Sequence, residues 1–317
     1  MENRALNIPA KKIAYDSPFI PAEWITAHGF EACRGIMDHE HDNMPINVDS
    51  GVCPYMSDFV NSAAQNPDVR AIVLTTTCDQ MRRAKDFIDM RSDKPCFLMN
   101  IPSSWQNKNV LRVYSDELKR LSSFLISLGG IKKDEKVIDS FMRRERKTRK
   151  NLLNEKNKYF LADTIPVALL GGHFSDNDHE IIDLIEEMGG TVVLDGTYEG
   201  ERVLPLESDI YESYLNSAEL LTKIYFEEIP DVFKRPNNRL FDWVREKIIE
   251  NNIKAVVLVR YLFCDKWHAE SLRLKEIAGL PFLDIELDGK KLSRRTKTNV
   301  QAFMEMLNDR ESIANYI

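Results

Sequence analysis

Two stretches of the chain place a cysteine between an apolar, strand-like run and a run with helical spacing. In the first, Cys78 follows the apolar residues that begin at Ala71, and in the second, Cys264 follows Ala255–Tyr261; an aspartate comes directly after each cysteine. A helix-like run, a proline and another apolar run then follow in both stretches. A residue just past the carboxyl end of a strand lies where open α/β sheets bind their ligands. Both cysteines are therefore candidates for chemistry.

The repeated pattern predicts two similar βαβ units, each of which presents a cysteine at the end of a strand. If two such units face one another across a cleft, a metal ion or a cluster could lie between the cysteines. The aspartates that follow the cysteines, Asp79 and Asp265, are interpreted as caps of the helices behind them, because their side chains can accept hydrogen bonds from free backbone N–H groups.

A third cysteine, Cys53, directly precedes Pro54 and a run in which apolar residues recur at helical spacing. It is predicted to lie at the amino terminus of a helix, where the dipole and the free N–H groups favour a thiolate. This placement suits a metal ligand or a reactive thiol, although an inert thiol fits it too. Cys33 and Cys96 lie in segments predicted as strands and are interpreted as small buried hydrophobic residues.

Several familiar motifs are absent from the sequence. The five cysteines are widely spaced and odd in number, which argues against a disulfide framework. No close C-x-x-C pair is present, so neither a zinc knuckle nor a ferredoxin-type cluster is indicated. The chain also lacks the glycine-rich signatures of dinucleotide and ATP sites.

Composition limits the kinds of partner. The formal net charge of −7 and the sequence pI of about 5.5 argue against a nucleic-acid-binding protein that works by bulk electrostatics. No apolar stretch approaches the ~20 residues that a membrane span needs, and the first residues do not resemble a signal peptide. We therefore expect no nucleic acid and no membrane among the partners, and a cytoplasmic location.

The 317 residues exceed what a single core usually supports, so two domains are expected. Strands and helices alternate throughout, which predicts an α/β fold with parallel sheets and right-handed crossovers. The predicted boundaries are a first α/β domain over 1–130 with Cys53 and Cys78, a charged linking helix over 131–160, and a second α/β domain over 161–317 with Cys264.

Five segments, taken in order, resemble those of one known family. They are FIPAEWITAHGFEACR, VCPYMSDFV, TTTCDQMRRAKD, ALLGGHFSDNDHEIIDLIEEMGGTVVLDGTYEGER and the stretch Ala255–Asp288. Together they cover most of the chain, and their order makes the set more specific than any one segment. The chain resembles the 2-hydroxyacyl-CoA dehydratase D-component and benzoyl-CoA reductase subunit family.

This resemblance implies two Rossmann-like or flavodoxin-like domains whose parallel sheets face a central cleft. It also implies that Cys53, Cys78 and Cys264 are the ligands of one [4Fe–4S] cluster. Three thiolates leave one iron without a protein ligand, as in metal sites that bind a substrate. In the family, such a cluster can pass a low-potential electron to the carbonyl group of an acyl-CoA thioester and form a ketyl radical, which leads to dehydration or to reduction.

The implied partners are an acyl-CoA substrate, a homologous second subunit in a homodimer or heterodimer, and an ATP-hydrolysing iron–sulfur activator protein. Two alternatives stay open. One is a non-catalytic subunit that holds a cluster or transfers electrons. The other is a relative of double-cubane-type reductases, which is disfavoured because such a cluster needs more cysteines than the five of this chain.

Four more residues are candidates beside the cysteines. His173, which follows Gly172 at a predicted strand end, could contact the substrate or relay a proton, and a plain polar loop residue is an equally open interpretation. Gly172 is a candidate for substrate binding. Tyr55 and Ser57 are close to Cys53 in the sequence and could hydrogen-bond to a cluster sulfur or to the substrate.

Overall fold

Two four-stranded parallel sheets form the centre of the computed structural model, which describes residues 11–35, 51–144, 164–203 and 216–314. The first sheet, in the order β2-β1-β3-β4, consists of β1 (Lys12–Tyr15), β2 (Glu31–Arg34), β3 (Val69–Thr75) and β4 (Cys96–Met99). The second, in the order β6-β5-β7-β8, consists of β5 (Ile165–Gly171), β6 (Gly190–Gly196), β7 (Ala255–Tyr261) and β8 (Phe282–Leu287). All neighbouring strands are parallel, which confirms the predicted α/β class with two parallel sheets.

Helices connect and flank these strands. They are α1 (Ala22–Thr26), α2 (Pro54–Gln65), α3 (Asp79–Arg91), α4 (Lys108–Ser127), α5 (135–144), α6 (Glu180–Glu187), α7 (Ser217–Leu221), α8 (Asn238–Glu250), α9 (Asp265–Ala278) and α10 (Arg294–Ala314), and a π-helical segment, Thr222–Glu228, continues α7. Within the described part of the chain, no helix is both long enough and apolar enough to cross a membrane.

Both sheets contain a topological switch point. The second strand of each sheet lies on one side of the first strand, and the third strand lies on the other side. Ligand sites in open α/β sheets form at the carboxyl ends of the strands on either side of such a switch. These strands are β1 and β3 in the first sheet and β5 and β7 in the second. The residues that follow them include Asp16, Cys78, His173 and Cys264, so the topology directs all four toward one edge of their sheets.

The apolar sequences of the central strands explain why they lie inside. β5 is buried along its whole length, and β7 is buried except at Arg260. Continuous apolar runs are typical of parallel strands that are covered on both faces. One buried apolar cluster contains Phe59 and Ile72 from the first half of the chain together with Leu169 and Val257 from the second. The two halves therefore pack against one another.

One segment of the second half packs on the first. The ring of Phe226, in the π-helical segment, stacks on Tyr114 of α4 at a centroid distance of 5.2 Å. The hydroxyl group of Tyr225 donates to the buried carboxylate of Glu23 in α1 at 2.7 and 2.9 Å. The boundaries 1–130, 131–160 and 161–317 stay a prediction, and residues 145–163 of the expected linking helix lie outside the described residues.

The interpretation of Asp79 and Asp265 as helix caps is wrong. α3 begins at Asp79, and its N-cap residue is Cys78, whose Sγ accepts a hydrogen bond from the backbone N–H of Met81 at 3.4 Å. α9 likewise begins at Asp265, after the N-cap residue Cys264. Each aspartate lies in the first turn, where its charge interacts favourably with the helix dipole. The cysteines themselves therefore occupy the helix termini.

Candidate functional site

The three candidate cysteines line a single cavity. Cys53, Cys78 and Cys264, together with Gly172 and His173, surround a volume of about 120 Å³, which we call the cysteine pocket. The lining comes from both halves of the chain, because the switch points of the two sheets meet here. The structure thus brings together five residues that the sequence singled out, although their chemical roles stay predictions.

Tyr55 and Ser57 are not among the residues that line the cysteine pocket. The ring of Tyr55 stacks on the imidazole of His173, with a centroid distance of 4.1 Å and an interplanar angle of 14°. Ser57 lies in the first turn of α2, where its backbone N–H donates to the carbonyl oxygen of Cys53 at 3.0 Å. Tyr55 therefore supports a residue of the pocket, and contact of either side chain with a cluster or a substrate stays a prediction.

Each pocket cysteine is the N-cap residue of a helix of three turns or more: Cys53 of α2, Cys78 of α3 and Cys264 of α9. Unpaired N–H groups and the helix dipole give such a terminus a partial positive charge. The side-chain Oε1 of Gln80 also accepts a hydrogen bond from the backbone N–H of Cys53 at 3.0 Å, which joins the first two cysteine loops. The pocket therefore suits an anionic group.

Burial controls the protonation of these thiols when no metal is bound. It raises the pKa of Cys53 to about 12 and that of Cys264 to about 11, and it raises the pKa of Cys78 as well. Backbone hydrogen bonds at the helix starts offset this effect only in part. The free thiols are therefore protonated at neutral pH, and a metal must displace their protons when it binds.

A buried aspartate meets a pocket histidine. Asp16, which follows β1 and is 1% exposed, places Oδ2 at 3.5 Å from Nε2 of His173. Neither carboxylate oxygen of Asp16 nor Nδ1 of His173 has a hydrogen-bond partner among the described residues. Burial raises the pKa of Asp16 to about 7 and lowers that of His173 to about 3. The contact is therefore not an ion pair at neutral pH, because the imidazole is uncharged.

Gly172 allows close packing beside His173. A Cβ atom at Gly172 would lie 2.9 Å from Nε1 of Trp267, a buried residue that also lines the cysteine pocket. The carbonyl oxygen of Gly172 accepts a hydrogen bond from the backbone N–H of Tyr198 at 2.8 Å, and the ring of Tyr198 meets His173 at 4.9 Å in a perpendicular arrangement. The need for glycine here is therefore explained by packing, and a role in substrate binding stays a prediction.

A buried arginine ties the surrounding loops together. Arg202 donates to the carboxylate of Asp231 at 2.8 Å and to three backbone carbonyl groups at 2.7–2.8 Å, one of them that of Gly171. Its guanidinium group also lies over the rings of Tyr198 and Trp267, at 4.9 and 5.0 Å from their centroids. Both rings line the cysteine pocket, so Arg202 fixes part of its wall.

The residue directly before Cys264 has an unusual backbone conformation. Phe263 has φ of +64°, in the left-handed region that bulky residues avoid, and its side chain is 45% exposed while lining the pocket. Such strain persists only where the surrounding structure enforces it, and it is enriched at functional sites.

Three residues at this site were missed by the sequence analysis. Asp16 follows the first strand, so the strand-end rule that identified Cys78 would also have found it. Arg202 carries no recognisable signal, because a charged residue in a loop is ordinarily solvated. Phe263 carries none either, since its residue type does not indicate a positive φ.

The set of donors is compatible with an iron–sulfur cluster. Across the described ranges, no three His, Cys, Asp or Glu side chains are arranged to hold a single metal ion. In a [4Fe–4S] cube each thiolate binds a different iron, so three sulfur atoms need not converge on one point. Cys33 and Cys96 lie in β2 and β4, as predicted, but both are only half-buried, so their interpretation as fully buried residues is wrong. Neither lines the pocket. Three free thiols are thus available at this site.

These features define a two-domain α/β protein whose halves share a pocket lined by three cysteines. The model of the family described as 2-hydroxyglutaryl-CoA dehydratase, D-component, matches residues 18–168 and 153–307. The matches extend over most of the chain, so the protein belongs to this family, and the predicted resemblance is confirmed. It is a component of the 2-hydroxyacyl-CoA dehydratase type, and its description as one component indicates a partner subunit.

No curated protein matches the chain in sequence. Among solved structures, it is similar to a Mn-bound periplasmic metal-binding protein from Candidatus Liberibacter asiaticus, with 10% identity, coverage of 95% of this chain and 99% of that one, and a TM-score of 0.27. It is also similar to the laminin-binding protein Lbp of Streptococcus pyogenes, with 13% identity, coverage of 94% and 96%, and a TM-score of 0.25. Scores this low support no conclusion about this chain.

Proposed function

We propose that this protein is the iron–sulfur subunit of a 2-hydroxyacyl-CoA dehydratase-type enzyme and that Cys53, Cys78 and Cys264 hold one [4Fe–4S] cluster. The observation that carries the proposal is the convergence of three thiols, from three separate segments, at one pocket. When bound, the cluster supplies a low-potential electron and an iron that lacks a protein ligand.

The protein's own groups are suited to hold such a centre. The amino termini of α2, α3 and α9 offset the negative charge of thiolate ligands. The N–H of Met81 already donates to Sγ of Cys78, and hydrogen bonds to sulfur tune the reduction potential of a bound cluster. The pocket wall also contains the buried side chains of Met56, Val232 and Trp267, which limit the access of water.

The size of the cysteine pocket constrains how a substrate approaches. Its volume of about 120 Å³ is below the ~300–1,000 Å³ of typical small-molecule sites, so it suits a compact group and not a whole acyl-CoA. Only the thioester end would come near the pocket, with the coenzyme A part outside it. The thioester carbonyl would be the group that is reduced to a ketyl radical, and His173, which lines the pocket, would hold or accept a proton. Both dehydration and reduction are compatible with this arrangement.

The same small volume favours a second candidate, a non-catalytic subunit that holds the cluster and passes electrons to a partner. The alternative of a double-cubane-type relative gains no support, because Cys33 and Cys96 do not line the pocket. In either candidate, a homologous second subunit and an ATP-hydrolysing iron–sulfur activator protein complete the proposed system.

The first test is iron and acid-labile sulfide content, with a visible spectrum, on protein purified without oxygen. We expect about four irons and four sulfides per chain. Single replacements of the three pocket cysteines by serine should abolish or sharply reduce this content. The matched controls Cys33→Ser and Cys96→Ser should retain it, because those thiols lie outside the pocket.

A colourless protein that resists reconstitution with iron and sulfide would refute the proposal. If the cluster is present, titration with a 2-hydroxyacyl-CoA separates the two candidates. A catalytic subunit should change its cluster spectrum when the thioester binds, whereas a pure electron carrier should not.

A further inference from the structure

The contact between Asp16 and His173 is not explained by packing alone. Burying a carboxylate without hydrogen-bond partners is costly, and such groups are rare in folded proteins. Asp16 is 1% exposed, and neither of its carboxylate oxygens has a partner among the described residues. It follows β1 and His173 follows β5, so the two residues come from the switch points of opposite halves. A carboxyl group buried at such a cost, beside a candidate site, calls for a function.

The imidazole of His173 is held in one orientation. Tyr55 stacks on one face of the ring at 4.1 Å, and Tyr198 meets the ring perpendicularly at 4.9 Å. Nε2 lies 3.5 Å from Oδ2 of Asp16, whereas Nδ1 has no partner among the described residues. His173 lines the cysteine pocket, and Nδ1 is its buried ring nitrogen without a hydrogen-bond partner among the described residues.

The partner of one imidazole nitrogen decides what the other nitrogen can do. A neutral imidazole carries a single N–H, on Nδ1 or on Nε2. An ionised carboxylate can only accept, so a carboxylate next to Nε2 favours the proton on Nε2 and leaves a lone pair on Nδ1. A buried aspartate that orients a histidine acts in this way in hydrolytic triads.

We propose that Asp16, in its ionised form, is a positioning residue that holds His173 as the Nε2–H tautomer, so that Nδ1 accepts a hydrogen bond from a ligand in the cysteine pocket. The chemical class of that donor rests on the proposed function: it is the hydroxyl group of a 2-hydroxyacyl thioester. Asp16 itself does not touch the ligand.

The test is histidine nitrogen NMR on the full-length, metal-free protein labelled with ¹⁵N-histidine. At about pH 8.5, where the carboxyl group of Asp16 is ionised, His173 should show the Nε2–H pattern. In Asp16→Leu, which cannot accept a hydrogen bond, the ratio of the two tautomers should fall by about tenfold. A His173→Gln variant assigns the signal.

His28 provides an internal control, because the opposite tautomer is expected for it. Nδ1 of His28 lies 2.7 Å from the carbonyl oxygen of Ile131, which can only accept, so His28 should be the Nδ1–H tautomer. Its Nε2 faces the hydroxyl group of Ser122 at 2.9 Å. This signal should be the same in the wild-type protein and in Asp16→Leu. An Nδ1–H pattern at His173 in the wild-type protein would overturn the proposal even if the variant failed to fold.

The ligand is tested with a matched pair, 2-hydroxybutyryl-CoA and butyryl-CoA. The hydroxylated thioester should shift the Nδ1 resonance of His173, and the thioester without the hydroxyl group should not. Equal responses to both compounds would refute the hydroxyl group as the donor. The tautomer result is read without iron, so a failure of this proposal is distinguishable from a failure of the cluster assignment.

Discussion

Replacing Asp16 with asparagine should stabilise the metal-free protein, and the gain should grow with pH. Burial raises the pKa of Asp16 from 3.8 to about 7, because the ionised form loses its hydration. A carboxyl group whose pKa is higher in the folded state than in the unfolded state contributes most to stability at pH values below its unfolded-state pKa, where it is protonated in both states. That contribution is lost as the pH rises through the folded-state pKa. A shift of this size corresponds to about 4 kcal/mol.

The free energy of unfolding should be measured by urea denaturation of the wild-type protein and Asp16→Asn at about pH 4 and about pH 8. The difference between the two proteins should be about 4 kcal/mol larger at the higher pH, because asparagine has no charge to bury. The lowered pKa of His173 costs stability as the pH falls below its unfolded-state value, but its causes are burial and the charges of Arg34 and Arg202, which Asp16→Asn leaves in place, so this cost is common to both proteins.

A matched control is available in the second half of the chain. Asp178 is also 1% exposed, but its carboxylate accepts hydrogen bonds from the backbone N–H and the hydroxyl group of Ser175 and from the hydroxyl group of Tyr261. All three bonds end on Oδ2, and an amide oxygen in its place is an uncharged and weaker acceptor, so Asp178→Asn should lower the free energy of unfolding by about 1–3 kcal/mol. If Asp16→Asn destabilised the protein to the same extent and independently of pH, then Asp16 would be an ordinary structural residue and our reasoning would be refuted.

Three other measurements address the rest of the site. Reconstitution with iron and sulfide should release protons, because the pocket thiols are protonated beforehand. A pH-stat titration should detect fewer released protons for Cys264→Ser than for the wild-type protein. Equal proton release from the two proteins would contradict the assignment of Cys264 as a ligand. Arg202→Met should lower the free energy of unfolding by about 3–5 kcal/mol, since it leaves Asp231 as a buried charge without its ion-pair partner. A decrease of less than about 1 kcal/mol, measured by urea denaturation, would contradict this. Phe263→Gly should raise the free energy of unfolding by about 1 kcal/mol, because glycine adopts the positive φ without strain. A melting temperature below that of the wild-type protein would show that the contacts of the phenyl ring outweigh the strain.

The sequence was informative where local pattern decides structure. The apolar run Ala255–Tyr261 became β7 with the predicted bounds, and Cys78 and Cys264 lie at strand ends as expected, because burial and turn chemistry act over a few residues. Non-local features could not be predicted. Nothing near Phe226 in the sequence indicates that its segment packs on the first half of the chain, and nothing near Asp16 indicates the contact with His173.

A comparison of the two similar halves explains why three thiols, and not four, line the cysteine pocket. Cys78 and Cys264 are equivalent, because each follows the third strand of its sheet and caps the next helix. The helix directly before the third strand begins after Cys53 in the first half and after Asn237 in the second. Asn237 is 6% exposed, is not among the residues that line the cysteine pocket, and carries an amide in place of the thiolate that iron–sulfur clusters require. The position equivalent to Cys53 therefore contributes no thiol to the cysteine pocket, which agrees with the proposal of a cluster that has three protein ligands and one iron without a protein ligand.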